Sequence, residues 1–329
     1  MTDERSEDPT VVRFWGTRGT LPVAATARQI KRKIANALFA ARDYSFASYF
    51  EASRFIDDQL TFAAGATYGG ATSCVEIDCG DDAFFICDMG SGLLELGVDA
   101  SSRCVDGHRK KYNFFLSHMH WDHIMGFPSF LPANDPDAEI VIHACHPDAE
   151  TALRRQQEDI SYPVSFAYWA ANIRFVTLVP YQEVEVDGLR VTAMTQDHPY
   201  GSFGYRFTDG AGRSVVYSTD SEHKIGEMDR EAAFIGFFEG ADLVICDTMY
   251  SLAETSSTKE DWGHSSNVVA IDLCHQARAK RLALFHHDPF HDDEDIERMH
   301  EDSIRYEELT RDGPPLEVLC AYDGLEVPL

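Results

Sequence analysis

The stretch Asn113-Phe114-Phe115-Leu116-Ser117-His118-Met119-His120-Trp121-Asp122-His123-Ile124-Met125-Gly126-Phe127 decides how this chain is read. Its apolar run, Phe114 to Leu116, has the character of a buried strand, and it gives way at once to His118, His120, Asp122 and His123. Side chains at i and i+2 of an extended segment point the same way, so His118 and His120 can approach one ion together. A helix starting at Trp121 would aim Asp122 and His123 at a second position close by. Imidazole and carboxylate groups clustered this densely call for a divalent metal rather than a solvated loop.

Composition narrows the classes of function. The 329 residues suffice for one large α/β domain or two ordinary ones, and 44% hydrophobic with 25% charged residues describes a chain that folds. With 28 Lys and Arg against 55 Asp and Glu, the formal net charge is −27. That argues against a broad nucleic-acid surface, which draws on clustered cations. A small anionic substrate held by divalent ions is compatible with it. Met1 to Thr10 is acidic and polar, unlike a signal peptide, and no apolar run approaches the ~18 residues of a membrane span. The eight cysteines are scattered without a C-x-x-C pair and read as reduced core residues. The expectation is a cytoplasmic protein.

Along the chain, Val11 to Gly16 reads as a first strand and Gly16 to Thr20 as the turn that ends it. From Ala24 to Ala64, with Ile30, Ile34, Leu38 and Ala41 at helical spacing, two helices are expected. This segment is basic (Arg28, Lys31, Arg32, Lys33, Arg42), which suits either a solvated helix face or a lid or dimer element near an anionic substrate. Ser73 to Asp78 and Ala83 to Asp88 read as a hairpin across the turn 79–82, followed by a short helix through Gly97. Glu139 to Ala144, Leu189 to Thr195, Phe203 to Phe207, Ser214 to Ser218, Asp242 to Asp247, Arg281 to Phe285 and Leu316 to Tyr322 read as strands. Helices are expected at Pro147 to Glu158, after an N-cap at Ser265 or Ser266, and at Asp292 to Arg311. His143 and His146 are read as structural. Strand after strand thus ends near a ligand-type residue, with His198, Asp220, Asp247, His264 and His286 joining the first cluster. In an α/β sheet such ends face a common crevice.

The order H-x-H-x-D-H, then His198, Asp220 and His286, resembles the metallo-β-lactamase superfamily from Val11 to Leu329. The resemblance implies a single domain over 1–329, an α/β four-layer αββα sandwich of two mixed sheets flanked by helices, with 24–64 as a helical insertion. It puts His118, His120 and His198 on one ion, Asp122, His123 and His286 on another, and Asp220 between them; only one of His286 and His287 should face the metals. Arg13 to Thr20, Tyr68 to Cys74, Gly263-His264-Ser265 and Phe285 to Pro289 are similar to the phosphodiesterase branch, which includes ribonuclease Z and cyclic-nucleotide phosphodiesterases; Ala71 stands where that branch usually has Asn. The implied activity is hydrolysis of a small cyclic nucleotide or related phosphodiester by a hydroxide shared between two divalent ions. Zn²⁺ is the default, and the carboxylates also suit Mn²⁺ or Fe²⁺. Asp122 would orient or deprotonate the water, His264 would stabilise phosphate or protonate the leaving oxygen, and Asp247 would orient His264. The alternatives are tRNA 3′-end processing, for which the long basic Gly-rich arm is missing, and lactone or thioester hydrolysis. A small phosphodiester is the expected partner, with no membrane and with a homodimer compatible.

Overall fold

The computed structural model describes residues 9–80, 82–104, 109–223, 228–255, 257, 259 and 261–329. Among them the strands are β1 (Val11–Gly16), β2 (Cys74–Asp78), β3 (Ala83–Cys87), β4 (Lys111–Leu116), β5 (Glu139–Ala144), β6 (Asn172–Thr177), β7 (Val184–Val186), β8 (Leu189–Gln196), β9 (Ser202–Thr208), β10 (Ser214–Ser218), β11 (Leu243–Asp247), β12 (Arg281–Phe285), β13 (Glu317–Cys320) and β14 (Glu326–Pro328). They form two seven-stranded sheets, ordered β14-β1-β2-β3-β4-β5-β6 and β13-β12-β11-β10-β9-β8-β7. Each sheet is mixed. In the first, β14, β1, β2 and β3 pair antiparallel and β3 to β6 parallel. In the second, β7 to β10 pair antiparallel and β10 to β13 parallel.

The α-helices are α1 (Ala27–Ala40), α2 (Tyr49–Gln59), α3 (Phe62–Gly65), α4 (Leu93–Arg103), α5 (Trp121–Ile124), α6 (Ala149–Gln156), α7 (Met228–Phe238), α8 (Leu252–Thr255), α9 (Asn267–Gln276) and α10 (Asp293–Thr310). Three apolar layers hold the assembly together. Phe14, Val75, Phe85 and Phe115 of the first sheet meet Val191, Phe207, Tyr217 and Phe285 of the second. Phe84, Ile86, Phe114 and Leu116 turn the other way, towards Leu93 and Leu96 of α4 and Leu153 of α6. Val216, Val244 and Cys246 pack against Phe234 and Phe238 of α7 and Ala270 and Cys274 of α9. This is the four-layer αββα sandwich.

The layering explains why the β4 segment reads as an unbroken apolar run. A strand covered on both faces loses the alternation of a half-solvated one. Phe115 sits between the sheets, edge-on to Phe207 with ring centroids 5.0 Å apart and stacked on His143 at 4.7 Å. Phe114 faces the helices, edge-on to Phe130 at 5.3 Å. Burying each such ring contributes about 1.5–3 kcal/mol.

Some elements differ from the sequence reading. The helix expected to end at Gly97 runs on to Arg103, and Ser266 rather than Ser265 caps α9, its hydroxyl accepting from Val269 N. β6, β7, β14 and α7 were not foreseen. β7 and β14 are three residues each, too short for a periodic pattern, and the Phe-rich stretch of α7 is ambiguous between helix and strand. The turn at 79–82 includes residue 81, and the acidic N-terminus includes residues 1–8, all outside the described residues.

In the 24–64 segment, Thr26 and Gln29 form a capping box that starts α1. α1 has no buried residue. It is tethered by Lys33, whose ammonium lies 2.7 Å from Asp293 Oδ2 at the start of α10 and donates to Ala66 O at 2.5 Å. Among the described residues, no helix is long and apolar enough to cross a membrane.

Candidate metal centre

The site forms where β3, β4, β10, β11 and β12 end along one edge of the sandwich. The chain leaves β4 extended through His120, which acts as N-cap of α5, so Asp122 and His123 project from the first turn of that helix. His198 follows β8, Asp220 follows β10, Asp247 ends β11 and His286 follows β12. Ligand-type atoms of His118, His120, His198 and Asp220 lie within 4.8 Å of one another, as do those of Asp122, His123 and His286 and those of Asp220, His264 and His286.

Asp220 stands at the centre, and its two oxygens face different groups. Oδ2 is 3.7 Å from His118 Nε2 and 3.6 Å from His198 Nε2, whereas Oδ1 is 3.1 Å from His123 Nε2 and 3.2 Å from His286 Nε2. Asp122 Oδ2 lies 3.2 Å from His123 Nε2 and 3.3 Å from His286 Nε2.

Surrounding groups orient the rings. His198 Nδ1 donates to Gly263 O at 2.9 Å, His123 Nδ1 to Asp88 Oδ2 at 2.7 Å, and His264 Nδ1 to Asp247 Oδ2 at 2.7 Å. Each leaves Nε2 for another partner, the arrangement in which an outer hydrogen bond fixes the tautomer of a metal-ligating imidazole. The close fit also involves glycine. A Cβ on Gly19 would come within 2.6 Å of the His286 ring, and one on Gly263 within 2.4 Å of His198 Nδ1.

His287 points elsewhere. Its Nε2 donates to Ala321 O at 2.8 Å, while His286 faces Asp122 and Asp220. Burial, reinforced by Arg18, pushes His287 down to about 3. The unfolded chain takes up a proton near 6.5 while the folded one does not, so stability rises with pH between about 3 and 6.5, by up to about 1.4 kcal/mol per unit. In EDTA-treated protein, thermal unfolding from pH 6.5 to 4 should therefore show a shallower loss of Tm for His287→Gln than for wild type. An equal slope would contradict it.

The donor set fits divalent cations. Burial pushes His118, His120 and His198 below the usual imidazole range, so they offer lone pairs. Burial opposes ionisation of Asp122 and Asp220, but the neighbouring histidines, His123 beside Asp122 and His286 and His123 beside Asp220, hold both well below the usual carboxylate range. His123 is raised against its burial by Asp122, Asp220 and Asp88, so the cluster retains a proton where a cation would serve. The buried Nε2 atoms of His118 and His123 have no hydrogen-bond partner among the described residues. Among the described residues no Lys or Arg pairs with Asp88, Asp122, Asp220 or Asp247; histidines are the ionisable partners of these buried acids, and Asp122 and Asp220 stand in the groups able to hold a metal.

A sequence profile for the beta-lactamase superfamily domain matches residues 108–287. The chain belongs to the beta-lactamase superfamily. Ribonuclease Z of Limosilactobacillus fermentum is 34% identical over 227 residues, spanning 54% of this chain and 70% of that protein. The metallo-beta-lactamase fold protein YhfI from Bacillus subtilis superposes with a TM-score of 0.65 at 20% identity, over 98% of this chain and 100% of that one. Human tRNase Z, short form, gives 0.59 at 18% identity, over 96% and 98%. As a member of this superfamily the protein is a metal-dependent hydrolase.

Two parts of the site were not singled out from sequence. Asp88, at the end of β3, accepts from Ser117 N, Ser117 Oγ and Tyr217 OH at 2.7 Å each, as well as from His123. It obeys the same rule as the other strand-end acids, and that was its available signal. Thr20 N donates to Asp122 Oδ2 at 2.7 Å; the sequence places Thr20 in a turn and in the phosphodiesterase-like stretch Arg13 to Thr20, without a role at Asp122. Asp88, Asp220 and His286 all have φ between 49° and 63°, a region uncommon for residues with a side chain. Backbone strain of this kind collects at functional sites.

Proposed function

We propose that this chain hydrolyses a small phosphodiester, a cyclic nucleotide or a close relative, at a centre of two divalent ions. The observation that carries the reading is the division of Asp220, with Oδ2 towards His118 and His198 and Oδ1 towards His123 and His286. A carboxylate that serves two separate imidazole groups is what a bridge between adjacent ions needs. His118, His120 and His198 would hold one ion, Asp122, His123 and His286 the other. Zn²⁺ suits the histidines, and Mn²⁺ or Fe²⁺ suit the carboxylates. Such ions supply Lewis acidity and a water activated at neutral pH.

The chain's own groups do the rest. Asp122, fixed by the Thr20 amide, orients the attacking water. His264 is raised to about 9 because the Asp247 charge and hydrogen bond outweigh its burial. It therefore carries a proton at neutral pH and presents it to the phosphate or to the leaving oxygen. Asp247 holds that ring in place.

The ribonuclease Z relative supports a second reading, cleavage at tRNA 3′ ends, against which the net charge of −27 weighs. Metal analysis followed by assays with bis(p-nitrophenyl) phosphate, cyclic nucleotides, a tRNA precursor and a homoserine lactone tests both. Bound divalent metal with turnover of the small diesters is expected. Preferred cleavage of the tRNA precursor would select the second reading, and hydrolysis of the lactone alone would overturn both.

A further inference from the structure

Outside the 24–64 segment, six large aromatic side chains among the described residues are exposed, and four of them flank site residues. Trp121 lies between His120 and Asp122, Tyr200 two residues after His198, Trp262 two before His264, and Phe290 four after His286. A single exposed ring needs no explanation, but a set concentrated on the turns that carry the site does.

Trp262 is joined to the reacting groups by continuous contacts. Lys259 Nζ lies 3.9 Å from the Trp262 ring centroid and 5.0 Å from that of Tyr250. Tyr250 is buried and stands edge-on to His264, their centroids 5.7 Å apart. Lys259 has no carboxylate partner among the described residues, although acids outnumber bases 55 to 28 in this chain. Ring faces hold its ammonium by cation–π attraction, which leaves the charge for an anion. Trp262 is 54% exposed, so much of the indole remains in solvent.

We propose that Trp262 and Lys259, braced by Tyr250, form the subsite that grips the organic part of the substrate, a flat heteroaromatic ring stacking on the indole while an anionic oxygen of the same molecule meets the ammonium. The inference rests on the phosphodiesterase reading and narrows it to diesters that bear a nucleobase. Stacking accepts any base, so the selection is for a base over none rather than among bases.

The test compares 2′,3′-cyclic AMP with ethylene phosphate, which has the same five-membered cyclic diester and no base, on the metal-replete full chain. Wild type should show the lower KM for cyclic AMP. Trp262→Ala should raise that KM about tenfold or more with kcat and metal content little changed, and should leave ethylene phosphate unaffected; Trp262→Phe should restore most of the loss. Lys259→Gln should raise KM for both diesters. An unchanged cyclic AMP KM in Trp262→Ala, with wild-type turnover of both diesters, would overturn the subsite and leave the phosphodiesterase reading standing. Turnover of neither diester by wild type would remove that reading, and the subsite with it.

Discussion

Asp220→Ala is expected to lose bound metal and to lower phosphodiester turnover by about a thousandfold or more, because both halves of the donor set depend on this one side chain. His118 and His198 approach one of its oxygens, His123 and His286 the other, and among the described residues no other acid lies between the two groups in the same way. The backbone supplies a control. Asp220 has φ of 49°, a conformation that Asn tolerates better than Ala, so Asp220→Asn separates loss of the charged ligand from backbone strain. Both variants should lose metal by elemental analysis. Wild-type turnover in metal-replete Asp220→Ala would sink the two-ion centre.

His264→Ala has the opposite signature: metal content stays near wild type and kcat falls by about 10²- to 10⁴-fold, the usual worth of a positioned acid. His264 is raised to about 9, so its protonated form is lost as pH rises through that value. The wild-type rate should therefore decline on the alkaline side near pH 9, and that limb should be missing from His264→Ala. Removing the charge that raises the pKa, in Asp247→Asn, should move the limb to lower pH. A limb that persists unchanged in His264→Ala would assign the titration to another group and dismiss His264 as the acid.

The strands that line the site were legible because burial on both faces made them continuous apolar runs. β5, β10 and β12 fall on the spans read from the residues alone, and so does β1, whose burial alternates along the strand. The H-x-H-x-D-H spacing was legible for a related reason. An extended stretch followed by a helical turn has fixed side-chain directions, so the orientation of the cluster follows from its sequence. The choice between His286 and His287 was not, since strand alternation limits the number facing the crevice to one without saying which. It took the contact of His287 with Ala321 O to separate them. Asp88 and the Thr20 amide stayed hidden because they act through hydrogen bonds to His123 and Asp122, which no local pattern records. β7 and β14 were hidden by brevity, and β6 by its place at the sheet edge, where exposed residues break the apolar run.

The two sheets divide the donors between them. His118, His120, Asp122 and His123 come from the chain that builds the first sheet, His198, Asp220 and His286 from the chain that builds the second. During translation the first four leave the ribosome long before their counterparts exist. The set His118, His120, His198 and Asp220 is complete once residue 220 has been made, whereas the set Asp122, His123 and His286 waits for β12 to dock beside β11. Because capture of a metal is coupled to folding, retention of ions at both positions would require that synthesis has passed residue 286 and that both halves have closed. A chain cut before β12 carries the most conspicuous motif of the sequence and is expected to leave a desalting column with less metal than the full chain.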